Sequence, residues 1–200
     1  MGRTQSFDSD AAVRAARDLF WDRGYDQASL SDLEQATGLN RSSLYHAFGN
    51  KRGLFDAAVQ NYLTTVIRPG LAILWRGSAD ASALLEYFEG LRYAVATLPV
   101  DSPRRGCLLV NCATGLAGHD DPARTVVDDY RAELAEGLRM ALVSAGLGTD
   151  HYAADLDAKV RTLTSLSVSA MVLSRVNRDE AVAVLATAGA QIEAWAAARA

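Results

Sequence analysis

Apolar residues recur every three or four positions along nearly the whole chain, and that spacing constrains its fold more than any other feature. Ala12, Ala16, Leu19 and Phe20 open the pattern, with Ala15 and Trp21 at its edges. Leu84, Phe88, Leu91 and Val95 repeat it, and Leu163, Leu166, Ala170 and Leu173 carry it towards the C-terminus. Such a stripe lies along one face of an α-helix and on no single face of a strand. Few β-branched runs and only 4 prolines in 200 residues leave the helices long. The reading is an all-α chain of about nine helices, with no strand, internal repeat or low-complexity linker.

Local signals divide this pattern into elements. Asp8, Ser9 or Asp10 caps a first helix that Gly24 stops. Ser29 or Ser31 caps a short second helix, closed by Gly38, and Asn40 caps a third, Arg41 to Phe48. Gly49 and Asn50 precede a long fourth helix that Pro69-Gly70 should kink or interrupt. Further on, Asp121 and Pro122 read as the cap and first residue of a helix ending at Gly146.

Residues 29–48 are two short helices joined by a glycine-containing turn, the shape of a helix-turn-helix whose second helix enters the major groove of DNA. Leu33, Leu39, Leu44 and Phe48 supply the apolar backing, which leaves Arg41, Ser42, Ser43, Tyr45 and His46 facing mostly outward. The net charge of −4 excludes a uniformly basic coat. No acidic residue falls between Glu34 and Asp56, however, while Arg41, Lys51 and Arg52 lie in that interval. That is a local electrostatic footprint for phosphates. An arginine forks onto guanine, serine hydroxyls reach bases or phosphates, and Tyr45 and Lys51 suit backbone contact.

The segment ARDLFWDRGYDQASLSDLEQATGLNRSSLYHAFGNKRGLFDAAVQNY resembles the N-terminal domain of TetR/AcrR-family transcriptional regulators. The matching elements are Phe20, Gly24-Tyr25, Ser29-Leu30, Ala36-Thr37-Gly38, the string from Ser43 to Phe48, and Lys51 with Leu54-Phe55. The likeness covers about residues 8–62. It implies a homodimer with a three-helix DNA-binding domain at residues 1–49. Residues 50–200 would then bind an effector and form the dimer. It also matches Tyr45 and Lys51 to phosphate-contacting positions, and Arg41, Ser42, Ser43 and His46 to positions at or beside the bases. The candidate DNA-contacting set is therefore Ser29, Arg41, Ser42, Ser43, Tyr45, His46 and Lys51. Two departures stand out: Leu33-Glu34, where the family commonly has isoleucine and a small residue, and an N-terminal arm whose only basic residue is Arg3.

The remaining residues bear on an effector. Tyr62, Trp75, Phe88, Leu91, Cys107, Asn111, Tyr130 and Met171 are the candidate pocket walls, and Asn111 would need polar partners if buried. Cys107 follows Arg104-Arg105-Gly106 at a helix start, where positive charge and the helix dipole lower a thiol pKa. RRGCLLVNCATGLAG resembles the sixth helix of a TetR subgroup in which an equivalent cysteine serves some members as an electrophile or oxidant sensor. That makes cysteine sensing the alternative to a small apolar effector. Cys107, Cys112 and His119 lack zinc-ligand spacing. No phosphate loop or nucleophile elbow appears, and His46, His119 and His151 lie in separate segments, so the expectation is a non-enzyme with no metal and no cofactor. The last two helices carry broad small and apolar faces suited to pairing with a second copy in a four-helix bundle. No apolar run approaches a membrane span, and the first residues lack a signal-peptide core. Met1-Gly2 with Ser6 fits the short myristoylation pattern. The expected location is the cytoplasm.

Overall fold

The structure, a computed structural model, describes residues 8–113, 115–148 and 153–198. Arg3, the Met1-Gly2 pattern and His151 lie outside the described residues. Every regular element among those described is helical.

Helix α1, Ser9–Gln27, starts where the Asp8 carboxylate accepts the Ala11 N–H at 3.0 Å. Gly24, at φ +75°, breaks its regular course. Helix α2, Leu30–Thr37, begins at Ser29, whose hydroxyl accepts the Asp32 N–H while the Asp32 carboxylate accepts the Ser29 N–H. This reciprocal cap satisfies two of the N–H groups a helix start leaves open. Gly38 follows at φ +68°, a left-handed turn that sends the chain into α3, Arg41–Phe48, capped by Asn40. Helix α4, Lys51–Tyr62, is capped by Asn50.

These four helices share a core of Phe20, Leu33, Leu44, Leu54 and Phe55, all almost fully buried. The Phe20 and Phe55 rings meet edge to face at 5.2 Å, with Tyr25 against both. Burying one such aromatic stabilises the unit by roughly 2 kcal/mol.

Pro69 interrupts the long helix as its chemistry requires. It has no N–H to donate, and its ring crowds the carbonyl four residues back. The chain responds with a π turn over Leu63–Ile67, one α turn (α5, Arg68–Leu71), and a 3₁₀ turn over Ala72–Trp75. Helices α6 (Ser82–Thr97), α7 (Leu108–Ala113), α8 (Asp121–Ser144), α9 (Ala153–Leu173) and α10 (Arg178–Ala197) complete the fold. Helix α10 packs along α6 and α9, α9 also packs on α8, and α7 bridges α1 and α8. The cap of α8 is Asp120 rather than Asp121. Its carboxylate accepts the Ala123 N–H at 2.8 Å, which puts Pro122 in the first turn, where no N–H is needed.

Candidate nucleic-acid interface and effector cavity

Helix α3 is built as an outward-facing shelf. Leu44 is buried, Phe48 half-buried, and Arg41, Ser42 and His46 are exposed; Ser43 and Tyr45 are half-buried at its edges. Its start is held twice. The Asn40 side chain accepts the Ser43 N–H at 2.9 Å, and the Glu34 carboxylate, reaching from α2, accepts the Arg41 N–H. Glu34, a departure from the family pattern, thus locks the angle between the two helices. The Arg41 guanidinium lies over the Tyr45 ring at 5.2 Å, and the Lys51 ammonium lies over Tyr25 at 4.4 Å. Burial lowers the Lys51 pKa, opposed by the Asp26 carboxylate. Ser29 is exposed, with its hydroxyl donating to Asp32 at 2.6 Å as part of the α2 cap.

One basic residue of the acid-free interval is turned to another task. Arg52 pairs with Asp56 at 2.7 Å and with Asp120, the cap of α8. Its charge ties α4 to α8, whereas Arg41 and Lys51 form no ion pair among the described residues and lie over aromatic rings.

Behind this unit lies a cavity of about 220 Å³ between the π turn, α6, the α6–α7 loop and α9. Five of the eight pocket candidates line it: Tyr62, Leu91, Cys107, Tyr130 and Met171. The other three do not. Phe88 is fully buried in the core, and Trp75 is 47% exposed at the end of the 3₁₀ turn. Asn111 points towards α1, where its amide donates to the Trp21 carbonyl at 3.3 Å. Trp21, Tyr87, Ser167, Arg104, Arg105 and Arg178 join the lining. Of these the apolar stripe touched only Trp21, at its edge; the arginines, in a loop and at a helix start, carry no periodicity to read.

Cys107 precedes α7, is almost fully buried, and shares the cavity lining with Tyr62 and Tyr130. Burial raises its pKa, and the N–H groups of Val110 and Leu109 only partly offset it. The expected lowering by Arg104 and Arg105 fails because neither guanidinium sets the thiol's environment, whereas loss of water does. Cys112 is likewise pushed up to about 12, and both cysteines are free thiols. Among the described residues no cluster of three or more His, Cys, Asp or Glu is arranged to hold a metal.

The cavity reaches α1, the helix that packs on α2, at Trp21. Its ring lines the cavity and its indole N–H donates to the Arg105 carbonyl at 3.1 Å. Beside the Gly24 break, Arg175 donates to the Trp21 carbonyl at 3.1 Å and to the Asp22 carbonyl at 2.7 Å. A cation thereby caps a helix C-terminal turn, where the dipole favours it. Gly106 permits this approach: a Cβ there would stand 2.8 Å from the Met171 carbonyl oxygen.

A family model described as bacterial regulatory proteins of the tetR family matches residues 12–58. A cysteine-substituted form of the TetR family transcriptional regulator CifR, solved with 26-base-pair double-strand operator DNA, is 31% identical to this chain. It superposes with a TM-score of 0.78, covering 94% of this chain and 98% of that one. The chain belongs to the TetR family. Among its TetR-family relatives in Escherichia coli (strain K12), the HTH-type transcriptional repressor ComR is 38% identical over 58% of this chain. The HTH-type transcriptional repressor BdcR is 32% identical over 64% of it. The chain spans 54% and 62% of those two repressors' own lengths. No helix among the described residues of this TetR-family chain is long and apolar enough to cross a membrane.

Proposed function

We propose that two copies of this chain form a cytoplasmic repressor that binds a palindromic operator and leaves it when a small molecule fills the cavity. Trp21 carries the proposal, because one residue of α1 is both a wall of the cavity and the carbonyl held by Arg175 and Asn111. A ligand that moves Trp21 or the α6–α7 loop moves the end of α1, and α1 packs on α2 and α4. The effector acts by differential affinity: it favours dimers whose reading helices no longer match successive major grooves. The named repressor relatives and the operator complex of CifR support the DNA-binding half of this reading.

Residues 1–49 form the reading unit and residues 50–200 the effector and dimer unit. In α3, Arg41, Ser42, Ser43 and His46 face base edges or adjacent phosphates, and Tyr45 and Lys51 grip backbone. Ser29 positions its phosphate contact from the α2 cap. Dimerisation uses α9 and α10. Much of their apolar surface is consumed within the chain, as with Leu163, Leu185 and Ile192. Helix α10 still exposes Ala183, Ala186, Ala190, Ala194 and Ala197 along one face, while Val172 near the end of α9 and Val176 in the turn after it are exposed. Small side chains let two helices approach closely. Cysteine sensing through Cys107 draws no support from a thiol held neutral and buried.

Selection of bound sequences from a random DNA pool tests the proposal, and a palindromic motif is the expected result. Arg41→Ala should weaken binding to that motif by about tenfold, with the dimer intact. Recovery of no specific sequence by the intact dimer would sink the DNA-binding reading.

A further inference from the structure

The cavity is not uniformly apolar. Ile67, Leu71, Leu91 and Val95 line its body, yet the charged side chains among its described lining are Arg104, Arg105 and Arg178, and the described lining includes no Asp or Glu. All three sit at one end, where the α6–α7 loop meets the α9–α10 turn. The Arg178 guanidinium donates to the Leu98 carbonyl there, and Gly106 lies against Met171 and Arg175. Arg104 is partnered by Asp18 at 2.7 Å. Arg105 differs: its buried Nε has no hydrogen-bond partner, and its guanidinium forms no ion pair, among the described residues. Leaving a buried charged donor unsatisfied is costly, and a bound anion removes that cost.

We infer that the effector is an amphiphilic organic anion, its acidic group bound by Arg105 with Arg178 adjacent and its apolar body lying between α6 and the π turn. The inference rests on the cavity being the effector site and deepens that reading by naming the ligand's chemical class. A carboxylate suits the site because a guanidinium presents paired donors to two oxygens in one plane. The Tyr87 phenol and Ser167 hydroxyl, which also line the cavity, carry no charge, and burial raises the Tyr87 pKa, so they set shape rather than charge preference.

Calorimetric titration of the full chain without DNA tests this, using octanoate, octanol and octylamine as probes of equal length and different charge. Octanoate should bind at least about tenfold more tightly than octanol, and octylamine more weakly than either, in line with the strength of a charge-assisted hydrogen bond. Arg105→Gln should bring octanoate to the affinity of octanol while leaving octanol unchanged. That variant keeps the Arg105 backbone carbonyl which the Trp21 indole and Arg175 use, and circular dichroism checks its fold. Equal affinities of octanoate and octanol for the unaltered protein would overturn the anion assignment while leaving a small apolar effector standing. Failure of all three probes to bind would overturn the cavity as an effector site as well. An unchanged preference in Arg105→Gln would overturn the role of Arg105. None of these outcomes depends on DNA binding, so they are distinguishable from failure of the operator proposal.

Discussion

At the scale of single residues, burial overrides local charge. Cys107 stands at a helix start behind two arginines, the sequence context of an activated thiol, and yet burial raises its pKa. The sign has a consequence for stability. A thiol whose folded pKa lies above its unfolded value of about 8.5 keeps its proton in the native state after the unfolded chain has lost it. The native state then binds more protons than the unfolded one, so stability falls as pH rises. The loss begins near the unfolded value and continues through the folded one, which for Cys112 is about 12. Denaturant unfolding should show stability full below about pH 8 and declining towards pH 10. In the Cys107→Ala, Cys112→Ala double variant that decline should flatten, and an equally steep decline would refute the assignment. Glu34 makes the same point for DNA recognition. In the sequence it is only an unusual residue after Leu33, and in the fold its carboxylate holds the first N–H of α3.

At the scale of elements, caps were partly legible because a cap is local. The sequence marks Asn40 outright, offers Asp8 and Ser29 each as one of two or three alternatives, and places the α8 cap one residue late. Asp8, Ser29, Asn40 and Asn50 each accept an N–H three residues ahead. The residue spacing that makes this happen is visible in one dimension. Gly53 was not legible. A Cβ there would lie 2.0 Å from the carbonyl oxygen of Phe48, the last residue of α3. The first turn of α4 therefore packs on backbone that cannot yield. Gly53→Ala should destabilise the protein by about 2 kcal/mol or more and lower its Tm by roughly 5 °C, read by thermal circular dichroism. Gly90→Ala is the control. It lies in α6 with nothing within 4 Å of the added carbon, so it should be neutral or stabilising by about 0.5 kcal/mol. Equal effects of the two would show that helix propensity, not the α3–α4 contact, sets the cost.

At the scale of the whole molecule, the proposed ligand response requires a physical link between the cavity in one half and α3 in the other. Arg175, in the turn just after α9, holds the carbonyls of Trp21, Asp22 and Arg105 together. Arg175→Met should leave octanoate binding measurable but remove its effect on operator affinity, a coupling of roughly 1–3 kcal/mol in systems of this kind. Arg175→Lys, which keeps one charged donor, should retain part of it. Gel-shift titrations with and without octanoate read both. A ligand effect of unchanged size in Arg175→Met would show that the coupling runs elsewhere, for example through the Arg52–Asp120 pair between α4 and α8.

The sequence by itself determined the helices, most of their ends, and the exposed face of α3, because periodicity and capping act over three or four residues. It also brought Tyr62, Leu91, Cys107, Tyr130 and Met171 forward as pocket candidates, but with Phe88 and Trp75 beside them. A helical stripe tells which face turns inward and not how deep each residue sits: Phe88 fills the core one turn from Leu91, which borders the cavity. Only the tertiary structure decided which arginines meet at the cavity and which carboxylates they find. Arg52, Arg104 and Arg175 find partners 68, 86 and more than 150 residues away, and Arg105 finds none for its Nε among the described residues. Charge pairing over such distances leaves no local pattern to read, and it is there that the proposed ligand chemistry lies.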